Sequence, residues 1–318
     1  MLDLLRSRTH LHAAFERVRE NAGCRGADGV TVGDFADNLE AELDALEASL
    51  AERRYFPVPL LEIPVAKPAG GLRRLAVPSV RDRVAQAAML LLTREIFEQE
   101  MEEVSFAFRA GLGVRQAVAR IAELRDQGFR FVVDADVAAF FDTIPHERLF
   151  KRLHRLPLPP YFFALFAHWV RAEIYDGKTL RRLDQGIPQG AVISPLLANL
   201  FLDPLDEAFA RAGRQIVRYA DDFLVLCRTE SEAEASLELT DELLERLELD
   251  LNREKTVVTS FDQGFKFLGV LFVRDEVFLP FEGRKKERES PVLPPPLTLR
   301  CYLELRNAAF TVPAEWRA

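Results

Sequence analysis

Two β-rich runs, Gln215-Ile216-Val217-Arg218-Tyr219 and Phe223-Leu224-Val225-Leu226-Cys227, are separated only by Ala220, Asp221 and Asp222. Apolar runs joined by so short a link read as an antiparallel hairpin. Its turn therefore carries adjacent carboxylates. A second buried strand, Phe129-Arg130-Phe131-Val132-Val133, runs into Asp134 and Asp136. Strands that end in carboxylates crowd like charges at a sheet edge, and a compensating cation relieves them. Three carboxylates suit Mg2+, a hard ion that prefers oxygen ligands and substrate phosphates. Two such ions would clamp the attacking and leaving oxygens of a phosphoryl transfer. Asp-Asp is also an ordinary turn pair, because aspartate tolerates turn geometry. Periodicity alone does not bring Asp136 to Asp221 and Asp222.

The rest of the chain supplies both element types. The spacing predicts a helix over 8–22 that ends near Gly23. A second helix capped by Asp34 carries the stripe Leu39, Leu43, Leu46 and Leu50. Pro59 to Ala66 and Leu72 to Pro78 form a hairpin around Pro68-Ala69-Gly70-Gly71. Helices follow over 82–102 and 113–127, and helical pieces broken by Pro157, Pro159 and Pro160 cover 146–171. Gly186-Ile187-Pro188-Gln189-Gly190 turns into a long apolar helix ending near Gly213. After the acidic hairpin come an amphipathic helix over 231–248 and short strands near 255–260, 265–273 and 277–280. This order predicts an α+β fold with an antiparallel central sheet.

Composition narrows the function class. Of 318 residues, 48% are hydrophobic and 29% charged, which suits a folded chain. The formal charge of −8 argues against a generic nucleic-acid coat protein, so any nucleic-acid role must rest on local features. The most apolar run, Val84 to Leu92, is too short to span a bilayer, and Met1 to Arg19 lacks a secretory core. Cys24, Cys227 and Cys301 are too scattered for a disulfide framework or a zinc cluster. The expectation is a cytoplasmic protein with no membrane partner. The five histidines are scattered and receive no metal role.

Tyr219-Ala220-Asp221-Asp222 resembles the Y-x-D-D box of reverse transcriptases. Asp136-Val137-Ala138-Ala139-Phe140-Phe141-Asp142 is similar to their first catalytic box, in the form found in bacterial group II intron enzymes. Gly186 to Gly190 with Ser194-Pro195-Leu196-Leu197-Ala198-Asn199 resembles the palm helix motif of that group. Lys67-Pro68, Arg73 to Pro78 and Asp82 to Gln86 resemble its fingers motif, and Ser105 to Arg109 the segment after it. Leu251-Asn252-Arg253-Glu254-Lys255-Thr256 and Phe267-Leu268-Gly269 resemble the last two palm boxes. Seven boxes in family order, over roughly residues 25–272, make the resemblance specific.

The resemblance implies a right-hand polymerase with fingers and palm, its thumb reduced or absent. Residues 1–54 would be an N-terminal helical region, 55–128 fingers, 129–280 the palm, and 281–318 a charged, Pro-rich linker with a short tail. Asp136, Asp221 and Asp222 would be catalytic and hold two Mg2+ ions, for which Mn2+ can substitute, with the Val137 carbonyl assisting. Phe141, five positions after the first aspartate, would lie under the incoming sugar and exclude a 2′-hydroxyl, favouring dNTPs. Its other reading is plain core, as for most of the 24 phenylalanines. Lys67 and Arg73, on the two arms of the hairpin, could neutralise the triphosphate, against the alternative of a solvated basic surface. A proline usually stands in the family where Arg74 stands here, which leaves Arg73 and Arg74 as alternative contacts. Gln189 could bond the incoming nucleotide from a helix N-terminus, or belong to a capping turn. Lys255 could protonate the leaving pyrophosphate, or be a surface lysine. Asp142 reads as structural.

The partners implied are an RNA template, a DNA or RNA primer and dNTPs. Fewer than 40 residues follow Leu279, so a thumb is expected from another protein, with a CRISPR spacer integrase one candidate. The leading expectation is an RNA-directed DNA polymerase serving spacer acquisition from RNA. The alternatives are the reverse transcriptase of a group II intron or retroelement, a DNA polymerase working on DNA templates, and a non-catalytic nucleic-acid-binding subunit keeping the fold.

Overall fold

The structure is a computed structural model that describes residues 1–66, 71–279 and 293–309, the last three by backbone alone. Among these residues the strands are β1 (Leu60–Ala66), β2 (Leu72–Val77), β3 (Phe131–Asp136), β4 (Ile174–Tyr175), β5 (Leu180–Arg181), β6 (Gln215–Tyr219), β7 (Asp222–Cys227), β8 (Val257–Ser260), β9 (Phe265–Phe267), β10 (Val270–Val273) and β11 (Glu276–Phe278). The chain divides into two compact units.

The first unit comprises Met1–Glu95, His154–Ser194 and Glu289–Ala318. Its helix Arg8–Asn21 stops where Ala22 and Gly23 take φ of 51° and 102°, values that end a helix without a clash only readily at glycine. The expected second helix is two, Val32–Asp37 and Leu39–Ala51, broken at Asn38 (φ −118°). Thr31, not Asp34, is the N-cap: its hydroxyl accepts from the Asp34 amide, while Asp34 takes the Thr31 amide in return. That reciprocal pair satisfies two amides the helix start would leave bare. Leu43, Leu46 and Leu50 are buried, as the stripe requires.

The sheet of this unit runs β2-β1-β4-β5, with β1 and β2 antiparallel and β1 and β4 parallel. Asp82 is fully buried at the entry to β1, accepting from the Tyr55 hydroxyl and the Val58 amide, each at 2.8 Å. Tyr55 also accepts from the Trp169 indole at 2.9 Å. Part of the segment expected to be linker has structure. Leu293 and Leu297 pack on the cluster around Leu61, Ile63 and Tyr175, and Leu299–Ala309 is helical. Residues 280–292 and 310–318 of that segment lie outside the described residues.

The second unit comprises Ile96–Leu153 and Pro195–Arg288. Its sheet runs β6-β7-β3-β8, every pair antiparallel. Side chains alternate across a strand, so each face draws on every second residue. One face places Val132, Val217, Leu224 and Leu226 against Ile121 and Leu124 of the helix Val114–Asp126. Phe261, Phe265 and Phe272 join them, the last two from the antiparallel group β9–β11. The register is therefore fixed by burial: a one-residue slip of β7 would carry Leu224 and Leu226 to the opposite face and take Asp222 with them, away from the face that Asp136 shares with Val132. Among the described residues no helix is long and apolar enough to cross a membrane.

Candidate active site

That register sets the acidic site. Tyr219 pairs with Asp222, and Asp222 with Asp136. These three residues thus form one row across β6, β7 and β3, at the end of the sheet. Asp134 occupies the next row on the same face, opposite Leu224 and Val257. The hairpin turn is only Ala220 and Asp221, and Ala220 adopts a left-handed φ of 60°. So tight a turn keeps Asp221 beside the row.

The segment after Asp250 folds around Asp136. Its carboxylate accepts from Asn252 Nδ2 at 2.9 Å and from Lys255 Nζ at 3.1 and 3.0 Å. The Asp136 carbonyl accepts the Asn252 amide at 2.8 Å, and its amide donates to Thr256 Oγ1 at 3.3 Å. Val137 pairs with Leu251, so its peptide is set by bonds on either side, including Ala138 N to the Asp250 carbonyl at 2.8 Å. Asn252 and Lys255 thereby restrain the Asp136 carboxylate.

The electrostatics are those of a crowded anionic site. Burial, then the Asp221 and Asp136 charges, push Asp222 up to about 6, with Lys255 opposing. Burial, Asp222 and Asp136 likewise raise Asp134 to about 6. Lys255 rises in turn, first through its bond to Asp136. Among the described residues no three metal-ligating side chains close into a cage; Lys255 and Asn252 take up the Asp136 oxygens instead. The donors are all oxygen, and the charge around Asp222 is only partly offset by one lysine. This set fits a hard divalent cation completed by substrate phosphates rather than a preformed protein cage.

Other candidate residues have distinct placements. Phe141 is half-buried and packs edge-on against buried Phe140, ring centroids 5.4 Å apart. Asp142 lies in the helical turn Phe140–Thr143. In the first unit, Arg73 is exposed on β2 opposite Val65. Arg74 bonds Glu62 at 3.1 Å, and Arg181 bonds the same carboxylate. Lys67 lies outside the described residues. The Gln189 carbonyl accepts the Ala76 amide at 2.6 Å, and the Gln86 side chain accepts the Val192 amide at 2.9 Å. Gly190 has φ +112°, and a Cβ there would sit 3.4 Å from the Ala76 carbonyl oxygen. The loop before the helix Ser194–Arg211 is thus tied to β2 and to the helix Val80–Glu98.

Sequence reasoning assigned no role to Asn252 or Asp134. Asn252 stood within a quoted box, and Asp134 lies two positions before Asp136, hence on the same face of the strand.

A family model described as reverse transcriptase (RNA-dependent DNA polymerase) matches residues 65–272, more than half of the chain. Protein YkfC of Escherichia coli K12 is 31% identical over 288 residues, covering 78% of this chain and 76% of that protein. The group II intron-encoded protein LtrA of Lactococcus lactis is 27% identical over 198 residues, and there the match spans only 33% of LtrA. Among solved structures, a Candida tropicalis telomerase truncated from its C-terminal domain shares the fold. Its TM-score is 0.55 at 12% identity, over 73% of this chain and 58% of that one.

Matched boxes, fold and acidic row define a polymerase of the reverse transcriptase class. The chain belongs to the reverse transcriptase family of RNA-directed DNA polymerases, enzymes that generally need divalent metal ions. Within that family it is group II intron-like, as the resemblance of its boxes implied.

Proposed function

We propose that this chain extends a primer on an RNA template, joining dNTPs by two-metal phosphoryl transfer. In this reading β1, β2 and the helices after them act as fingers, and the sheet β6-β7-β3-β8 acts as the palm. The observation that carries the proposal is the row Tyr219–Asp222–Asp136, with Asp221 in the adjoining turn. Asp136, Asp221 and Asp222, with the Val137 carbonyl, would hold two Mg2+ ions. Bound there, the ions would activate the primer 3′-hydroxyl and offset charge on the triphosphate.

The chain's own groups do the remaining work. Asn252 holds the Asp136 carboxylate in place. Lys255, the cation nearest the acidic row, donates a proton to the departing pyrophosphate. Phe141, braced by Phe140, supports the deoxyribose and leaves no room for a 2′-hydroxyl. Arg73 contacts the triphosphate in preference to Arg74, whose guanidinium Glu62 already engages; Lys67 and Gln189 complete the nucleotide contacts.

Primer extension on an RNA template with Mg2+ and dNTPs tests the proposal. Extension should be abolished in Asp221→Ala, and undiminished extension by that variant would refute it. RNA binding without extension would favour the non-catalytic reading instead. The resemblance also offers two natural settings, spacer acquisition from RNA and an intron or retroelement. We take the first, and co-purification with a spacer integrase tests it against the second.

A further inference from the structure

On the face of the sheet opposite the acidic row, β6 carries a buried charged residue, Arg218, beside the buried Val217. Arg218 is 0% exposed, as is Asp206 of the helix Ser194–Arg211, and Asn199 on that helix is 2% exposed. Asn199 and Asp206 are seven residues apart, two helical turns, and so share a helix face. Arg218 Nε donates to Asp206 Oδ1 at 2.8 Å, and Nη2 donates to Oδ2 at 2.5 Å. Nη1 donates to Asn199 Oδ1 at 3.0 Å and to the Ala220 carbonyl at 3.1 Å. Asn199 Nδ2 donates onward to the Ala107 carbonyl at 2.8 Å. The Arg218 backbone is held as well, its amide on the Val104 carbonyl at 2.8 Å and its carbonyl on the Phe106 amide at 2.9 Å.

We propose that Arg218 is a positioning residue for catalysis: braced by Asp206 and Asn199, it clamps the Ala220 carbonyl and so sets where Asp221 and Asp222 stand. The proposal rests on the polymerase reading above. Stability alone is a weak reason for the arrangement, because a buried ion pair is commonly no better than apolar residues of the same volume. What apolar residues cannot do is hold a carbonyl. The held carbonyl belongs to Ala220, whose left-handed backbone is one that non-glycine residues keep only when their surroundings enforce it. Asp221 follows directly, and a planar guanidinium is suited to binding a carboxylate, an amide and a peptide carbonyl at once. The clamp ties the hairpin turn to the helix Ser194–Arg211 and to the segment Val104–Ala107.

The test compares the full-length parent with Arg218→Met/Asp206→Leu, which removes both charges together, and with Arg218→Lys, which keeps the charge but not the fork. Melting temperature reports folding. Primer extension gives kcat and KM for dNTP, and Mn2+ affinity is measured by electron paramagnetic resonance without nucleotide. The paired variant should melt near the parent yet lose about 100-fold in kcat, the scale expected of roughly ångström misplacement, with KM nearly unchanged. Its Mn2+ affinity should fall about tenfold, and Arg218→Lys should show intermediate loss, by the same loss of preorganisation. A folded paired variant that keeps parental kcat and Mn2+ affinity overturns the proposal. Should the paired variant not fold, Asn199→Ala decides, since it leaves the ion pair intact and removes one brace. It should lower kcat several-fold at constant KM, and parental kcat would overturn the proposal. A parent without polymerase activity would overturn the proposed function instead, and the Mn2+ comparison would still read the clamp.

Discussion

Replacing Asp134 with asparagine should stabilise the metal-free protein at alkaline pH and do little at acid pH. The side chain shares a face with Asp136 and pairs across the sheet with Leu224 and Val257. Burial first, then the Asp222 and Asp136 charges, raises it from 3.8 to about 6. Between those values the folded protein keeps a proton that the unfolded chain has released. Stability from this group therefore falls as pH rises from 3.8 towards 6, and the full cost stands above about 6. At about 1.4 kcal/mol per tenfold change, the gap corresponds to about 3 kcal/mol. Partial solvent access and the desolvation of the asparagine amide reduce the net gain to about 1–2 kcal/mol. For a chain of 318 residues that is an increase of about 1.5–3 °C in melting temperature. Calorimetry in EDTA at pH 8 and pH 4 reads the difference directly. Mg2+ at pH 8 should shrink the gain, because a bound cation relieves the same repulsion. A variant that melts below the parent at pH 8, or gains equally at pH 4, would refute this account of the acidic face.

Further expectations follow from neighbouring contacts. Phe141→Ala should weaken discrimination against ribonucleotides by about 10- to 100-fold, measured as the ratio of kcat/KM for dNTP and NTP. Lys255→Met should lower kcat about 100-fold, with RNA binding in filter assays unchanged. Asp82→Ala, which strands the Tyr55 hydroxyl and the Val58 amide, should cost about 3 kcal/mol in urea unfolding. A change in midpoint no larger than that of a surface substitution would contradict this reading of Asp82.

Local signals in the chain were strong enough to show its elements, because their patterns are short-range. The acidic hairpin, the strand before Asp136 and the helix stopping at Ala22-Gly23 were all legible from adjacent residues. What joins them was not. Asp136 meets Asp222 only through the β3–β7 register, set by burial of Val132, Leu224 and Leu226 across distant parts of the chain. The two-residue strand β4 pairs in parallel with β1, a contact no local pattern announces. Thr31 and Asp34 are both good caps by type, and their reciprocal bonds make Thr31 the cap. The Arg218–Asp206 pair left a faint trace. An arginine inside an apolar strand requires a buried acid, and the preceding apolar helix offers Asp203 and Asp206 as candidates. Choosing between them needed the fold. Asp203 instead bonds Arg152 at 2.5 Å.

The central claim is that Asp136, Asp221 and Asp222 together form a divalent-cation site. Mn2+ titration followed by electron paramagnetic resonance, on the parent and on Asp136→Asn and Asp221→Asn, tests it most directly. The account requires saturable binding by the parent that weakens at least about tenfold in each variant, and that fades below about pH 6 as Asp222 takes up a proton. Equal Mn2+ affinity in all three proteins would contradict it.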